Sequence, residues 1–226
     1  MIEVRELTKS YQMGQVTVEA LQGIDLNIGS GEYVAILGPS GSGKSTLMQI
    51  LGWLDTPTAG TYQLCGREVS GLKRNELAEI RNKQVGFVFQ SFNLLAHASA
   101  LENVALPLIY RGTPGRQRLA EAAQLLERVG LADRMDHKPN ELSGGQRQRV
   151  AVARALAGDP NLILADEPTG NLDTQSGDEI VALFEELVSE GKSVVVVTHD
   201  LEIAQRAHRV VRIRDGVIED DKRQAA

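Results

Sequence analysis

The sequence predicts an α/β fold in which a mostly parallel sheet carries helices on its faces. Two compact apolar runs, Leu162–Ala165 and Val194–Val197, have the character of fully buried strands, and a helical pattern over Ser176–Ser189 separates them. Strands that alternate with helices in this way are typical of a parallel sheet. The first thirty residues instead alternate between apolar and polar side chains, which indicates half-buried antiparallel strands in an N-terminal β subdomain.

The first buried strand is followed by a glycine-rich loop and then by a helix. Tyr33–Leu37 is a short apolar run that ends at Gly38. Beyond the loop, apolar residues recur with the spacing of one helical face. These residues are Leu47, Ile50, Leu51 and Leu54. The predicted order is therefore strand, glycine loop, helix.

The middle of the chain is predicted to be helical. After a strand at Val85–Phe89, a helical pattern runs from about Ser91 to Asp159 and includes a helix over Gln146–Ala157. The apolar face of another helix ends at Gly130, a typical stop signal. That face consists of Leu119, Ala122, Ala123, Leu126 and Val129. We expect a single domain over residues 1–226, with residues 91–159 inserted in its core as a helical subdomain.

The end of the chain is predicted to be a hairpin with a loose tail. Asp215-Gly216 is a two-residue turn signal between Val210–Ile213 and Val217–Ile218. The last residues, Asp220–Ala226, are expected to fray because chain ends are ordered only where they are tied down.

Composition and charge limit the kind of protein and the kind of partner that the sequence can represent. Hydrophobic residues make up 42% and charged residues 24% of the 226 residues, a balance typical of folded chains. The formal net charge of −6 argues against a nucleic acid as the main partner. A single cysteine, Cys65, permits no intrachain disulfide and favours a reducing cytoplasm. We expect neither a signal peptide nor a membrane helix, because no apolar run approaches the roughly 20 residues that a span needs.

The glycine-rich loop has the spacing of a phosphate-binding loop, which makes the predicted core that of a P-loop NTPase. Gly38 to Ser45 fits G-x-x-x-x-G-K-[ST]. Glycines let backbone N–H groups converge on a phosphate, and the following helix presents its positive N-terminus to the same oxygens. Lys44 would then reach the β- and γ-phosphates of ATP, and Ser45 would bind Mg²⁺. The predicted phosphate contacts are Gly38, Ser40, Gly41, Ser42, Gly43, Lys44, Ser45 and Thr46.

An acidic pair follows the buried strand Leu162–Ala165. It lies at the C-terminal edge of the predicted sheet, where ligands bind in open parallel sheets. Asp166 is placed to hold Mg²⁺, directly or through water, and Glu167 could take a proton from an attacking water. A turn or capping role for the pair is the alternative, which a neighbouring phosphate loop disfavours. These residues predict binding and hydrolysis of Mg·ATP.

The stretch Leu142-Ser-Gly-Gly-Gln146 admits two interpretations. Ser143 and Gln146 fit a capping box that opens a helix. Gly144 and Gly145 would also expose N–H groups at that helix N-terminus, which suits an anion. Since the chain already has a phosphate loop of its own, a second phosphate-binding surface would serve a partner molecule. The residues alone leave both interpretations open.

The ordered set of motifs resembles the nucleotide-binding subunit of an ABC ATPase, over about residues 2–219. The resemblance rests on Gly38–Thr46, Gln90, Leu142–Gln146, Asp166–Glu167 and His199. It implies that two copies pair head to tail, with each ATP between the phosphate loop of one copy and the Leu142–Gln146 signature of the other. The hydrolytic set shows no departure from the family pattern.

The resemblance also implies individual roles. Gln90 would touch Mg²⁺ or the attacking water, His199 would hold the γ-phosphate and position that water, Tyr11 would stack on adenine, and Asn171–Asp173 would cross to the other copy. The implied contacts of the second copy are Ser143, Gly144, Gly145 and Gln146. The implied catalytic residues are Glu167, His199, Gln90 and Lys44, and the implied metal ligands are Ser45, Gln90 and Asp166. On residues alone, Gln90 could be merely solvated, His199 could cap a strand and Tyr11 could pack on the core.

Four further stretches resemble the macrolide-exporter and lipoprotein-release group of this family. They are Gly52–Gly60, Phe89–Leu95, Glu102–Pro107 and Asp166–Asp173. The resemblance implies a homodimer at the cytoplasmic face of the bacterial inner membrane that drives an integral permease in export, lipoprotein release or mechanotransmission. The helical subdomain would receive the permease's coupling helix near Gln90.

The sequence disfavours two other functions. A soluble ABC ATPase acting in DNA repair or on ribosomes is disfavoured, because the sequence has neither a very long coiled-coil insertion nor a second cassette. A non-catalytic nucleotide sensor is disfavoured by Glu167 and His199.

Overall fold

The computed structural model describes residues 1–69 and 71–224, whose strands form two sheets with helices packed around them. The strands are β1 (Ile2–Met13), β2 (Val16–Ile28), β3 (Tyr33–Leu37), β4 (Ala59–Leu64), β5 (Arg67–Glu68), β6 (Val85–Phe89), β7 (Leu162–Asp166), β8 (Ser193–Thr198), β9 (Arg209–Arg214) and β10 (Val217–Arg223). The α-helices are α1 (Lys44–Leu51), α2 (Arg74–Gln84), α3 (Ala100–Tyr110), α4 (Gly115–Arg128), α5 (Gly144–Leu156), α6 (Thr174–Ser189) and α7 (Leu201–Gln205). Two short 3₁₀ turns cover Ala132–Arg134 and Pro139–Glu141.

The larger sheet has the strand order β10-β9-β3-β8-β7-β6. All neighbours in it are parallel except the terminal pair β9 and β10, which confirms the predicted mostly parallel sheet. Every residue of β3 and β8 is buried, as expected for parallel strands that are covered on both faces. The carboxyl ends of β3, β6, β7 and β8 lie along one edge of this sheet.

The smaller sheet is antiparallel and has the order β2-β1-β4-β5. It confirms the predicted N-terminal β subdomain and adds β4 and β5, which the sequence did not predict. Its apolar face packs with α1 against one side of the larger sheet, and α3 to α6 cover the other side. Strand β3 shows the two-residue period of a strand, because Val34 and Ile36 face the first layer whereas Tyr33 and Ala35 face the second.

Residues 91–159 contain α3, α4 and α5, which pack on one another, and α5 also packs on β6 and α6. Ala122, Leu126 and Val129 are buried as predicted. Leu119 is 41% exposed, so its predicted place in the apolar face is wrong. It lies on the first turns of α4, ahead of the part of that face that the core covers.

The structure corrects the sequence predictions at the end of α1 and at the tail. Helix α1 ends at Leu51, and Leu54 lies outside it and is 47% exposed. The chain turns away because Trp53 has a positive φ of 54°. The expected fraying from Asp220 is wrong up to Arg223, because β10 pairs with β9 and the Arg209 guanidinium binds the Asp221 carboxylate at two positions. Residues 225 and 226 lie outside the described residues.

Candidate active site

The phosphate loop connects β3 to α1 and is held by close contacts with β2 and β9. Gly43 is the N-cap of α1 and has a φ of 99°, a conformation that favours glycine. A Cβ atom at this position would lie 2.5 Å from the Ala20 carbonyl oxygen. Ser42 is buried, whereas Ser40, Gly41 and Ser45 are exposed. The N-terminus of α1 therefore opens onto a loop whose outer residues are accessible to an anion.

Lys44 already has partners inside the loop. Its side chain is buried, and Nζ donates hydrogen bonds to the carbonyl oxygens of Gly38 at 2.7 Å and Pro39 at 2.8 Å. These neutral acceptors are weaker partners for an ammonium group than a phosphate oxygen is. A phosphate in the loop would therefore compete for Lys44 with two backbone carbonyls.

The side chains of Ser45 and Asp166 bring two oxygen atoms close together at the end of the phosphate loop. The Ser45 hydroxyl lies 3.5 Å from Asp166 Oδ1. Burial raises the pKa of Asp166, and the nearby charge of Glu167 raises it further, while Ser45 and Lys44 act in the opposite direction. Hydroxyl and carboxylate oxygens are ligands that Mg²⁺ prefers. A bound cation would offset the charge repulsion that raises this pKa.

Glu167 and His199 are brought together by β7 and β8, which are neighbours in the sheet. Glu167 Oε1 lies 2.8 Å from His199 Nδ1, and the Thr198 hydroxyl donates to Glu167 Oε2 at 3.3 Å. The Glu167 backbone has a positive φ of 45° and is held by a hydrogen bond from its N–H to the Val197 carbonyl at 2.8 Å. A non-glycine residue in this conformation stores strain of the kind found at functional sites.

Gln90 follows β6, whose last residue pairs with Asp166. Its exposed side chain lies against Gly170, where a Cβ atom would be 2.7 Å from Nε2. The Asn171 amide donates to the Gln90 carbonyl oxygen at 2.9 Å. The loop after β7 is thus joined to the loop after β6, and Asp173 then caps α6 by accepting from the Ser176 N–H.

The stretch Leu142–Gln146 opens α5 as a capping box. The Ser143 hydroxyl accepts from the Gln146 N–H at 3.2 Å, and the Gln146 side-chain oxygen accepts from the Ser143 N–H at 2.9 Å. The capping interpretation is therefore correct. It leaves the anion-binding interpretation open, because an exposed hydroxyl and a helix N-terminus remain accessible. Over residues 1–69 and 71–224, no hydrogen bond joins this stretch to the phosphate loop.

Tyr11 is half-buried on β1, and its hydroxyl donates to Asp55 Oδ2 at 2.9 Å. Asp55 and Lys9, which contact it, were not predicted as site residues. Two residues of α5 were missed as well. Gln148 is fully buried and donates to the Pro168 carbonyl after the acidic pair, and Arg154 donates to the carbonyls of the loop after Gln90. No local pattern reveals these contacts, because their partners are distant in sequence.

A groove of 860 Å³ adjoins the loop after Gln90. It lies between α2, β6 and the ends of α3 and α5, and its lining includes Arg81, Phe89, Asn93, Tyr110 and Arg154. Tyr110 is 78% exposed at its rim. None of the helices in the described part of the chain is both long and apolar enough to cross a membrane.

Comparisons with known proteins agree on one family. A family model described as ABC transporter matches residues 21–170. An ABC transporter ATP-binding protein of Thermotoga maritima, described as uncharacterized, is 56% identical over 99% of this chain and 95% of its own length. The macrolide export ATP-binding/permease protein MacB of Chlorobaculum tepidum is 54% identical over 99% of this chain, which spans 34% of that relative.

Among solved structures, the dimeric ATP-binding cassette MJ0796 in a post-hydrolysis state with ADP and Pi is similar at a TM-score of 0.92. It is 44% identical, and the match covers 100% of both chains.

Proposed function

The chain belongs to the ABC transporter family, and on that premise we propose that it is the ATP-hydrolysing subunit of a transporter. Two copies pair head to tail and drive an integral permease. The observation that carries the proposal is that one chain keeps two phosphate-binding features apart. Lys44, Asp166, Glu167 and His199 gather at one edge of the sheet, whereas Ser143 sits elsewhere at an exposed helix N-terminus. The dimeric state of MJ0796 supports completion by a second copy.

ATP binding uses the phosphate loop and Lys44. The backbone N–H groups of residues 38–46 cradle the phosphates, and Lys44 exchanges its carbonyl partners for phosphate oxygens. Ser45 and Asp166 would hold Mg²⁺, and Gln90 would be a further ligand or would contact the attacking water. When bound, Mg²⁺ neutralises charge on the β- and γ-phosphate oxygens. The Tyr11 ring stacks on the adenine.

Hydrolysis uses the pair that β7 and β8 bring together. Glu167 accepts a proton from the water that attacks the γ-phosphorus, and the bond from phosphorus to the ADP oxygen breaks. His199 orients the Glu167 carboxylate through the 2.8 Å contact and donates to the γ-phosphate. The products are ADP and phosphate.

The second copy closes the site through α5. Ser143 and the N–H groups of Gly144 and Gly145 contact the γ-phosphate, with Gln146 holding the cap that aims Ser143. Because the γ-phosphate lies between two copies, ATP stabilises the closed dimer. Loss of the γ-phosphate on hydrolysis lets the two copies separate. Asn171–Asp173 lies beside α5, where it can carry this closure toward Gln90.

Size-exclusion chromatography of Glu167→Gln with Mg·ATP tests the head-to-tail mechanism. Hydrolysis is blocked in this variant, so ATP should hold it as a dimer, while Lys44→Ala with ATP stays monomeric. Adding Ser143→Arg to Glu167→Gln should abolish the dimer without abolishing ATP binding. A Glu167→Gln protein that remains monomeric with saturating ATP contradicts the proposal.

We also propose that the groove beside Gln90 receives the permease. It is bordered by residues 91–159, which act as the subdomain inserted in the catalytic domain, and its rim exposes Tyr110. The MacB relatives, which are described as ATP-binding and permease proteins in one chain, support a permease partner. Such a partner places the subunit at the cytoplasmic face of the bacterial inner membrane, in the macrolide-exporter and lipoprotein-release group.

Co-purification from membranes tests the permease proposal. The tagged chain should bring down an integral membrane protein, and Tyr110→Asp should remove it while leaving the ATPase activity of the isolated subunit intact. Leu119→Ala, an exposed apolar residue on the neighbouring helix α4, is the matched control. Recovery of only soluble proteins or ribosomes would favour the soluble ABC ATPase instead.

A further inference from the structure

The ring of Tyr11 is held by two charged neighbours. Its hydroxyl donates to Asp55 Oδ2 at 2.9 Å, and the other carboxylate oxygen of Asp55 accepts from Lys9 Nζ at 2.8 Å. The same Lys9 ammonium lies 4.8 Å from the centroid of the Tyr11 ring, within the range of a cation–π contact. The ring is therefore fixed at its hydroxyl and at one face.

Asp55 belongs to the segment that leaves the phosphate-loop helix. The backbone N–H groups of Leu54 and Asp55 donate to the Gln49 carbonyl at 2.8 and 3.2 Å, which anchors them to the last turns of α1. Asp55 Oδ1 also accepts from the Thr56 N–H at 2.7 Å, and Lys9 Nζ donates to the Thr56 carbonyl at 2.7 Å. Because α1 begins at Lys44, one helix connects the phosphate loop to the group that holds Tyr11.

The charges of this cluster suit a permanent tether. The Lys9 side chain is only 11% exposed and the Asp55 side chain 28%. Burial alone would raise the pKa of Asp55, but hydrogen bonds from Lys9, Tyr11 and Thr56 lower it overall, so the carboxylate stays charged. Burial and the hydrogen bond to Asp55 raise the pKa of Tyr11 against an opposing hydrogen bond with Thr46, so the hydroxyl keeps the proton that it donates.

We propose that Asp55, held in place by Lys9, is a positioning residue that sets the distance between the Tyr11 ring and the phosphate loop. The inference rests on the proposed function, in which the Tyr11 ring stacks on the adenine of ATP. The distance between the base and the phosphates of a nucleotide is limited, so the ring must lie at a matching distance from the phosphate loop. A ring that is already held in place also binds the base without losing side-chain entropy. Lys9 occupies one face of the ring, and the base stacks on the opposite face.

The tether matters because Tyr11 lies near the end of an exposed hairpin. Met13 and Val16, at the tip between β1 and β2, are 67% and 63% exposed. The backbone of this strand end is joined to the segment after α1 by a hydrogen bond from the Ser10 N–H to the Thr58 hydroxyl at 3.0 Å. The Tyr11 ring is joined to that segment by the contacts to Asp55 and Lys9.

The test compares ATP with inorganic tripolyphosphate, which has the phosphates without the base. Binding of each to the full chain is measured by calorimetry without Mg²⁺, so that hydrolysis does not contribute. Tyr11→Phe and Asp55→Ala should each weaken ATP binding about five-fold, the loss expected for one hydrogen bond. Tripolyphosphate binding should stay within about two-fold of the wild type, since neither variant replaces a residue of the phosphate loop.

Three further variants sharpen the comparison. Asp55→Asn keeps one acceptor oxygen and should lie between the wild type and Asp55→Ala. The double variant Tyr11→Phe/Asp55→Ala should bind ATP no more weakly than Asp55→Ala, because both changes break the same bond. Glu3→Ala, which removes an exposed ion pair with Arg5 from strand β1, is the control and should leave the affinity for both ligands unchanged.

The outcomes separate the tether from the proposed function. If Tyr11→Ala lowers ATP affinity but Tyr11→Phe and Asp55→Ala do not, the base stacks without a tether and the inference is wrong. If Tyr11→Ala also leaves ATP affinity unchanged, Tyr11 does not bind the base and the proposed role itself fails. An equal loss for ATP and tripolyphosphate assigns Asp55 to the stability of α1 and overturns the inference. Thermal unfolding confirms that each variant is folded.

Discussion

Each charged side chain of the site already has a partner within one copy of the chain. Lys44 donates to two backbone carbonyls, Asp166 faces Ser45, and Glu167 contacts His199. Burying such groups without partners would cost several kcal/mol each. Substrate binding therefore exchanges existing contacts for new ones, and its free energy is the difference between the two sets.

At the scale of single residues, Asp166→Asn should stabilise the protein in the absence of Mg²⁺. Because the pKa of Asp166 is raised in the folded state by burial and by Glu167, its ionised form costs folding free energy above its ordinary pKa. The variant should therefore unfold at a temperature a few degrees higher at neutral pH. The difference should shrink as the pH falls through the raised pKa, where the wild-type carboxyl is protonated.

Thermal unfolding in EDTA across the acid range measures this effect. Asp173→Asn is the control of opposite sign, because hydrogen bonds from Ser176 lower the pKa of Asp173 and its ionised form is favoured by folding. With Mg²⁺ and ATP added, the order should reverse, since Asp166→Asn removes a proposed metal ligand. A lower unfolding temperature for metal-free Asp166→Asn at neutral pH would be inconsistent with this account.

At the scale of elements, α5 connects three parts of the site. Its first residues form the Ser143 cap, Gln148 binds the Pro168 carbonyl after the acidic pair, and Arg154 binds the carbonyls of Phe92 and Asn93 after Gln90. Phe92 and Asn93 both have positive φ, so the half-buried Arg154 guanidinium stabilises a loop that is strained on its own. A movement of α5 would therefore displace both the loop after β7 and the loop after β6.

Gly145→Ala should destabilise the packing of α5 on α6, whereas Gly144→Ala should not. A Cβ atom at Gly145 would lie 2.6 Å from the Ser176 hydroxyl oxygen, but at Gly144 its nearest neighbour would be a Leu172 methyl at 3.5 Å, an ordinary contact. Overpacking of this kind costs about 1–3 kcal/mol. Urea unfolding of the two variants measures the contrast directly. Equal stability of both variants would mean that α6 moves away at no cost.

At the scale of the whole molecule, the C-terminal strand closes the larger sheet onto the start of the chain. Arg209 on β9 binds Asp221 of β10, the Asn27 carbonyl at the end of β2 and Glu32 before β3. Its side chain and that of Glu32 are each 12% exposed. The Arg209 guanidinium thus joins the last strand to the segment between β2 and β3, where the chain passes from the smaller sheet to the larger one.

Arg209→Ala should lower the free energy of unfolding by about 2–4 kcal/mol, because it leaves Glu32 largely buried without its main cation. Lys222→Ala, which removes the exposed pair with Asp220 on the same strand, should change stability little. Urea unfolding at moderate ionic strength gives both values. If the two variants prove equally mild, the Arg209 cluster contributes no more than a surface pair does.

Several features of this protein could be read from the sequence because they are local. The phosphate loop is a contiguous spacing of glycines with a lysine, the buried strands are short apolar runs, and the Ser143 capping box spans four residues. The strand ends placed Asp166 and Glu167 at one edge of the sheet because the carboxyl ends of parallel strands share that edge. The further roles of Gln90, His199 and Tyr11 came from family resemblance and stay predictions.

What only the tertiary structure decided is set by contacts between segments far apart in sequence. The sequence predicted a frayed tail, but Arg209 and backbone pairing order β10 to Arg223. Helix α2 was missed because its charged face shows no apolar period, and only Leu77 is buried in it. Asp55 acquires its partners Lys9 and Tyr11 from a strand more than forty residues away. Such pairings depend on how β1 and α1 pack together, and no local spacing encodes that arrangement.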